Sequence, residues 1–229
     1  IYIQTKDYEQ ALQAVNNALA LSPSNYALLY KKGNICLYLN NPEEAMTAFN
    51  SMQRLKSRSQ EAFFGMAKAN IMQGNTDVAK ELMQEAEKAD PSSWLTYSRI
   101  GDLYSDMNED ENAAANYLSA FSLADNDASR PLQSLIKLAG KNYPAVETAI
   151  QYAISRNANP DALYFLQANI AYNSGCFKEA YKGFSKLLES KEGQIGAVYA
   201  KMAMTCLALE KLTEAQTNAD MAVLKENSV

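Results

Sequence analysis

The residues with chemical potential are few, and their spacing argues against a reaction. Glu43 and Glu44 are adjacent carboxylates of the kind that perform acid–base work, but neighbouring helix residues do not face each other. After Asn41-Pro42 they sit where a helix start favours negative charge. Cys36, Cys176 and Cys206 form no CxxC or other metal-spaced pair. They are expected to be small buried hydrophobes, with Cys36 and Cys206 in equivalent slots too far apart to form a disulfide. Histidine is absent, which removes His-based triads, His metal sites and His proton shuttles. No Gly-rich phosphate loop and no basic stripe with interleaved aromatics occurs. The expectation is a protein that is not an enzyme and holds no cofactor or metal.

Charge is the other chemical signal. From Glu81 to Asp127 there are eleven acidic residues and two basic ones, Lys88 and Arg99, a local balance of -9. The whole chain carries -5, so the remainder sums to +4. Such a stretch reads as a solvated face with helix-start carboxylates at Asn108-Glu109-Asp110-Glu111, or as a surface that steers a basic partner. A sequence pI near 4.9 argues against nucleic acid as the main partner. No apolar run approaches the ~20 residues needed to cross a bilayer. The chain opens at Ile1 and not at Met, so a preceding segment is expected. The cysteines lean toward a reducing, cytoplasmic compartment; a signal peptide or lipid anchor before Ile1 would instead place the chain in the periplasm or cell envelope.

The elements that position these side chains follow from a repeat. Nine Gly and six Pro in 229 residues provide too little punctuation for an all-β sandwich. Segments at Tyr8-Glu9-Gln10-Ala11, Pro42-Glu43-Glu44-Ala45, Thr76-Asp77-Val78-Ala79, Asp110-Glu111-Asn112-Ala113, Tyr143-Pro144-Ala145-Val146, Phe177-Lys178-Glu179-Ala180 and Leu212-Thr213-Glu214-Ala215 recur at steps of 34, 34, 34, 33, 34 and 35 residues. A small residue is followed four positions on by a larger one at Ala45 and Phe49, Ala79 and Met83, Ala113 and Tyr117, and Ala180 and Phe184. Each unit reads as two helices joined by a short turn, with the small residues allowing close approach and the aromatics filling the gaps.

The period and the pattern Tyr97-x2-Ile100-Gly101-x2-Tyr104 resemble the tetratricopeptide repeat family. Leu29-x2-Lys32-Gly33-x2-Cys36 and Tyr199-x2-Met202-Ala203-x2-Cys206 are weaker versions, and Pro23, Pro91 and Pro160 fall in or near the closing-proline slot. The resemblance implies an all-α, right-handed superhelical solenoid of about six and a half helix pairs. The expected units are 1–25 (partial), 26–59, 60–93, 94–126, 127–160, 161–195 and 196–229, in a single domain expected to belong to a longer chain. Unit 127–160 lacks the Gly and the aromatic in its first helix, and Leu132, Leu135, Ile136 and Leu138 predict a shifted register and an irregular turn there.

By the same resemblance the first helix of each pair lines a concave peptide-binding groove. The implied lining is Tyr30, Asn34 and Tyr38; Phe64, Lys68 and Met72; Ser98, Arg99 and Asp102; and Phe165, Asn169 and Tyr172, with Asn173, Ala200 and Met204 on the same face. Rings supply apolar contact, and Asn can bond a peptide backbone as both donor and acceptor. The carboxylate grip of chaperone-binding members is not matched, because Tyr30 and Gly65 stand where Lys and a second Asn would be needed. The expected function is a non-catalytic scaffold binding a protein or peptide. The alternatives are an assembly subunit using its terminal and outer helices, and a helper domain of an enzyme. Ile1-Tyr2-Ile3 and the helix carrying Ala215, Ala219, Met221, Ala222 and Leu224 would leave uncapped ends prone to self-association.

Overall fold

A computed structural model of the chain describes residues 7–124, 128–156, 161–190 and 193–226, and among these the regular secondary structure is all α-helix. Ile1, Tyr2, Ile3, Pro160, Asp125 and Asp127 lie outside the described residues. The chain divides into two compact units, residues 1–109 and 110–229, a boundary that falls within the pair expected over 94–126.

The first unit contains α1 (Tyr8–Leu21), α2 (Tyr26–Tyr38), α3 (Pro42–Leu55), α4 (Gln60–Met72), α5 (Thr76–Ala89) and α6 (Trp94–Asp106). Polar side chains start several of these helices by satisfying free N–H groups. Asp7 accepts from the Gln10 N–H, Asn25 from Leu28, Asn41 from Glu44, and Ser59 from Ala62, at 3.1–3.2 Å. The turns after α2, α4 and α6 share one device. Asn40, Gly74 and Asn108 adopt left-handed backbone, and the next N–H reaches back to the carbonyl of Cys36, Asn70 or Tyr104 at 2.8–3.0 Å. This motif stops the helix and reverses the chain within a few residues.

Each helix of the first unit packs on its sequence neighbours, and α4 also touches α2 and α6. The first helices of successive pairs therefore stand side by side. Between the layers, Phe49, Cys36, Ala45 and Met52 are fully buried. The tip of the Phe49 ring rests against Gly33 of α2 and Gly65 of α4, where a Cβ on Gly33 would come within 2.5 Å of Cζ and one on Gly65 closer still. Two glycines on two helices thus make one ring's seat.

The second unit contains α7 (Asp110–Leu123), α8 (Ser129–Ser155), α9 (Asp161–Asn173), α10 (Phe177–Leu188), α11 (Gly196–Ala208) and α12 (Leu212–Glu226). Its core gathers Ala168, Ala171, Ala180, Phe184, Leu187, Val198, Met202 and Cys206. Gly175 and Glu210 repeat the left-handed turn, with Cys176 and Lys211 N–H groups bonded to Ala171 and Cys206 carbonyls. The pair over 127–160 is built differently. Instead of a left-handed turn, α8 runs through a kink at Asn142 (φ -148°, ψ 78°). Asn142 Oδ1 then accepts from the Ala145 N–H at 3.3 Å and starts the second half of the helix, while Pro144 has no N–H to satisfy. The buried Asp110 holds this kink, accepting from Lys141 Nζ and Asn142 Nδ2 at 3.0 Å each.

Candidate functional site

Three helices of the first unit build a depression of about 260 Å³. Residues four apart on one helix share a face, and this places Tyr30 and Asn34 on α2 beside Phe64 and Lys68 on α4. On α6, Arg99 and Asp102 complete the lining, so six of the residues implied by the repeat register meet around one space. Leu37, Glu61, Gly65, Leu103 and Asp106 line it too. Those five were missed as site residues, although Glu61 and Asp106 lie three or four positions from Phe64 and Asp102 and share their faces.

Local bonds hold the polar groups in place. Asn34 Nδ2 donates to the Tyr30 carbonyl at 2.9 Å, which fixes the amide plane. The Arg99 guanidinium lies 5.4 Å over the Phe64 ring centroid, a cation–π arrangement. Lys68 and Asp106 form an ion pair from α4 to α6. Burial pushes the Glu61 carboxyl up, but its own backbone N–H, the Tyr26 hydroxyl (3.0 Å), Lys56 and Arg99 together outweigh this and hold it below its ordinary value. The depression therefore offers fixed charges of both signs around a part-covered ring.

Other implied residues lie elsewhere. Ser98 does not line the groove: it is fully buried, its Oγ lacks a hydrogen-bond partner, and so short a side chain does not emerge between larger neighbours. Tyr38 is 66% exposed and stacks on Tyr8 with centroids 4.9 Å apart, outside the depression. Met72, half-buried at the last turn of α4, does not line it either. In the second unit Phe165 turns into the core, edge-on to Phe184 at 6.2 Å. Asn169 donates to the Phe165 carbonyl at 2.9 Å. Tyr172 meets Phe177 edge-on at 5.6 Å, with Lys201 Nζ 5.5 Å from its centroid.

The acidic stretch is partly neutralised by residues outside it. Besides the Lys68–Asp106 pair, Lys80 meets Glu109 at 2.7 Å and Lys141 meets Asp110 at 3.0 Å. The three cysteines are free, and burial is the main cause raising each thiol, with Cys36 pushed up to about 11. Thiolate, the reactive form, is correspondingly scarce. Among the described residues no group of three or more His, Cys, Asp or Glu is placed to hold a metal, and no helix is long and apolar enough to cross a membrane.

Known proteins share the repeat and the helix-pair fold. The tetratricopeptide repeat matches residues 2–62, 61–93 and 96–127. A TPR repeat-containing protein of Methanocaldococcus jannaschii is 24% identical over 221 residues, covering 93% of this chain. The chain spans only 33% of that relative's length. The crystal structure of yeast Tom70 aligns with 95% of this chain and 44% of its own at a TM-score of 0.53 and 17% identity. That of the APC/C hetero-tetramer Cut9-Hcn1 aligns with 100% of this chain and 45% of its own, at 0.51 and 16%. At such identities the structures speak for the fold alone, but the repeat matches cover more than half of the chain. With its helix pairs, left-handed turns and small-residue seats, the chain belongs to the tetratricopeptide repeat family.

Proposed function

We propose that this chain is a non-catalytic scaffold that binds an extended peptide segment across α2, α4 and α6. The family as a whole supports protein–protein interaction. The observation that carries the finer reading is the convergence of Tyr30, Asn34, Phe64, Lys68, Arg99 and Asp102 on one depression. Asn34 supplies donor and acceptor to a peptide backbone, and the Phe64–Arg99 stack supplies apolar and cationic contact. Three carboxylates, Glu61, Asp102 and Asp106, face two cations, Lys68 and Arg99, so a segment with one basic side chain suits the lining. Peptides selected from a displayed random library against the chain provide the ligand for calorimetry. Arg99→Ala and Asn34→Ala should each weaken the selected peptide while thermal melting stays unchanged. Full affinity in both variants would remove the groove from the binding surface.

A second reading rests on the last helix pair. Leu212, Val223 and Leu224 of α12 are 60–68% exposed, and Leu207 of α11 is 61% exposed. Exposed apolar side chains of this kind suit association with another chain or another copy. Light scattering on the chain, beside a variant carrying Leu212→Glu and Leu224→Glu, tests it: a wild-type chain that stays monomeric at all concentrations would sink this reading.

A further inference from the structure

In the second unit a separate cavity of about 250 Å³ opens where the second half of α8 meets α9 and α10. Its inner wall carries two half-buried carboxylates from different helices, Glu147 of α8 and Glu179 of α10. The two line the same cavity. Both add to the burial that raises the Tyr143 phenol, and both add to the burial that raises the Cys176 thiol.

The floor is the side chain of Gln167, only 8% exposed. Its Oε1 accepts from Gln151 Nε2 at 3.0 Å, and its Nε2 lies 3.4 Å from Glu147 Oε1. At the rim stand Lys182 and Lys186, one turn apart on α10, with Lys186 Nζ 4.3 Å over the Tyr164 ring. Opposite charges thus share one small cavity. Yet among the described residues none of the four makes an ion pair.

Two carboxylates that line one small cavity attract a cation. A lone cation would leave the two rim lysines unused. Glu179 and Lys182, three residues apart on one helix, put opposite charges on the same face, and a short zwitterion carries the complement of both. The volume is below the ~300 Å³ at which drug-sized pockets begin, so the occupant is small.

We propose that this cavity binds a small zwitterion of the free amino acid or dipeptide class, its ammonium between Glu147 and Glu179 and its carboxylate between Lys182 and Lys186. The site is independent of the groove on α2, α4 and α6. Calorimetry on the full chain tests it with the dipeptide alanyl-alanine, its N-acetyl form, its C-terminal amide, and the free amino acids. The unmodified zwitterions should bind saturably at one site. Either cap should weaken the dipeptide about tenfold or more, the loss of one charge-assisted hydrogen bond. Glu147→Gln should abolish the preference for a free ammonium, and Lys182→Gln the preference for a free carboxylate. Lys182 is exposed, so its variant keeps the fold and remains decisive if Glu147→Gln does not. No saturable heat with any zwitterion, capped forms binding as well as free ones, or Lys182→Gln leaving affinity unchanged would each overturn the proposal.

Discussion

Asn34 in the first unit and Asn169 in the second hold the same place in their repeats, and each donates to the carbonyl four residues back at 2.9 Å. Their surroundings diverge. Beside Asn34 the next helices bring the Lys68–Asp106 pair and the Arg99–Phe64 stack, which together frame a depression. Beside Asn169 the ring four residues earlier, Phe165, is turned into the core against Phe184, and the aromatic one turn on, Tyr172, is paired with Phe177 and Lys201. The repeat register decides where a side chain projects from its own helix. What it meets is decided by the neighbouring helices, whose residues differ from unit to unit.

The largest expected effect breaks the shared part of this comparison. Phe49 and Phe184 fill equivalent buried slots, and Phe49→Ala or Phe184→Ala should each cost about 3–5 kcal/mol. Hydrogen exchange should rise first in α2 to α4 for Phe49→Ala and in α9 to α11 for Phe184→Ala. If either variant loosens both units equally, they do not unfold as separate segments of a linear array.

Asp110 sharpens the contrast between the kinked pair and the others. A hydrogen bond from Asn142, then the hydrogen bond and charge of Lys141, lower its carboxyl against an opposing effect of burial. A carboxyl depressed in the folded state contributes stability that is present above its unfolded value, near pH ~3.9, and is lost as pH falls through the folded value. Asp110→Asn should cost about 1.5–3 kcal/mol at neutral pH and remove part of the acid sensitivity. Urea titrations at neutral pH and at pH values below ~4 measure both. Equal acid sensitivity in variant and wild type would show that the carboxylate does not hold the kink.

The glycines give a smaller and signed test. Gly65→Leu should overpack the Phe49 seat by about 1–3 kcal/mol. Gly140 meets nothing within 4 Å and lies two residues before the Asn142 kink without a left-handed backbone, so Gly140→Ala should stabilise by about 0.4–1 kcal/mol. Thermal melts that show the same sign for both would contradict the packing assigned to them.

The smallest effect is on binding. Asn34→Ala should weaken a groove peptide by ~1 kcal/mol, or about fivefold, whereas Asn169→Ala should leave it unchanged. Equal losses in calorimetry would extend the binding face to the second unit.

Much of this molecule was readable before any coordinates. A step of 33 to 35 residues, with small and large residues four apart, implies helix pairs, because only one helical face can carry that spacing inward. The family resemblance implied Tyr30, Asn34, Phe64, Lys68, Arg99 and Asp102 as groove residues, and these six line one depression. Tertiary contacts decided what the register could not. Ser98 sits in a groove position by spacing and is buried by its surroundings. The surplus of charge from Glu81 to Asp127 is reduced by Lys68, Lys80 and Lys141, all outside that stretch. Glu147, Gln167, Glu179 and Lys182 share a cavity, although no motif joins them in the chain. The reason is the range of the forces involved. Helical periodicity is a local property written every few residues, whereas burial, ion pairing and cavity shape depend on side chains from helices tens of residues apart.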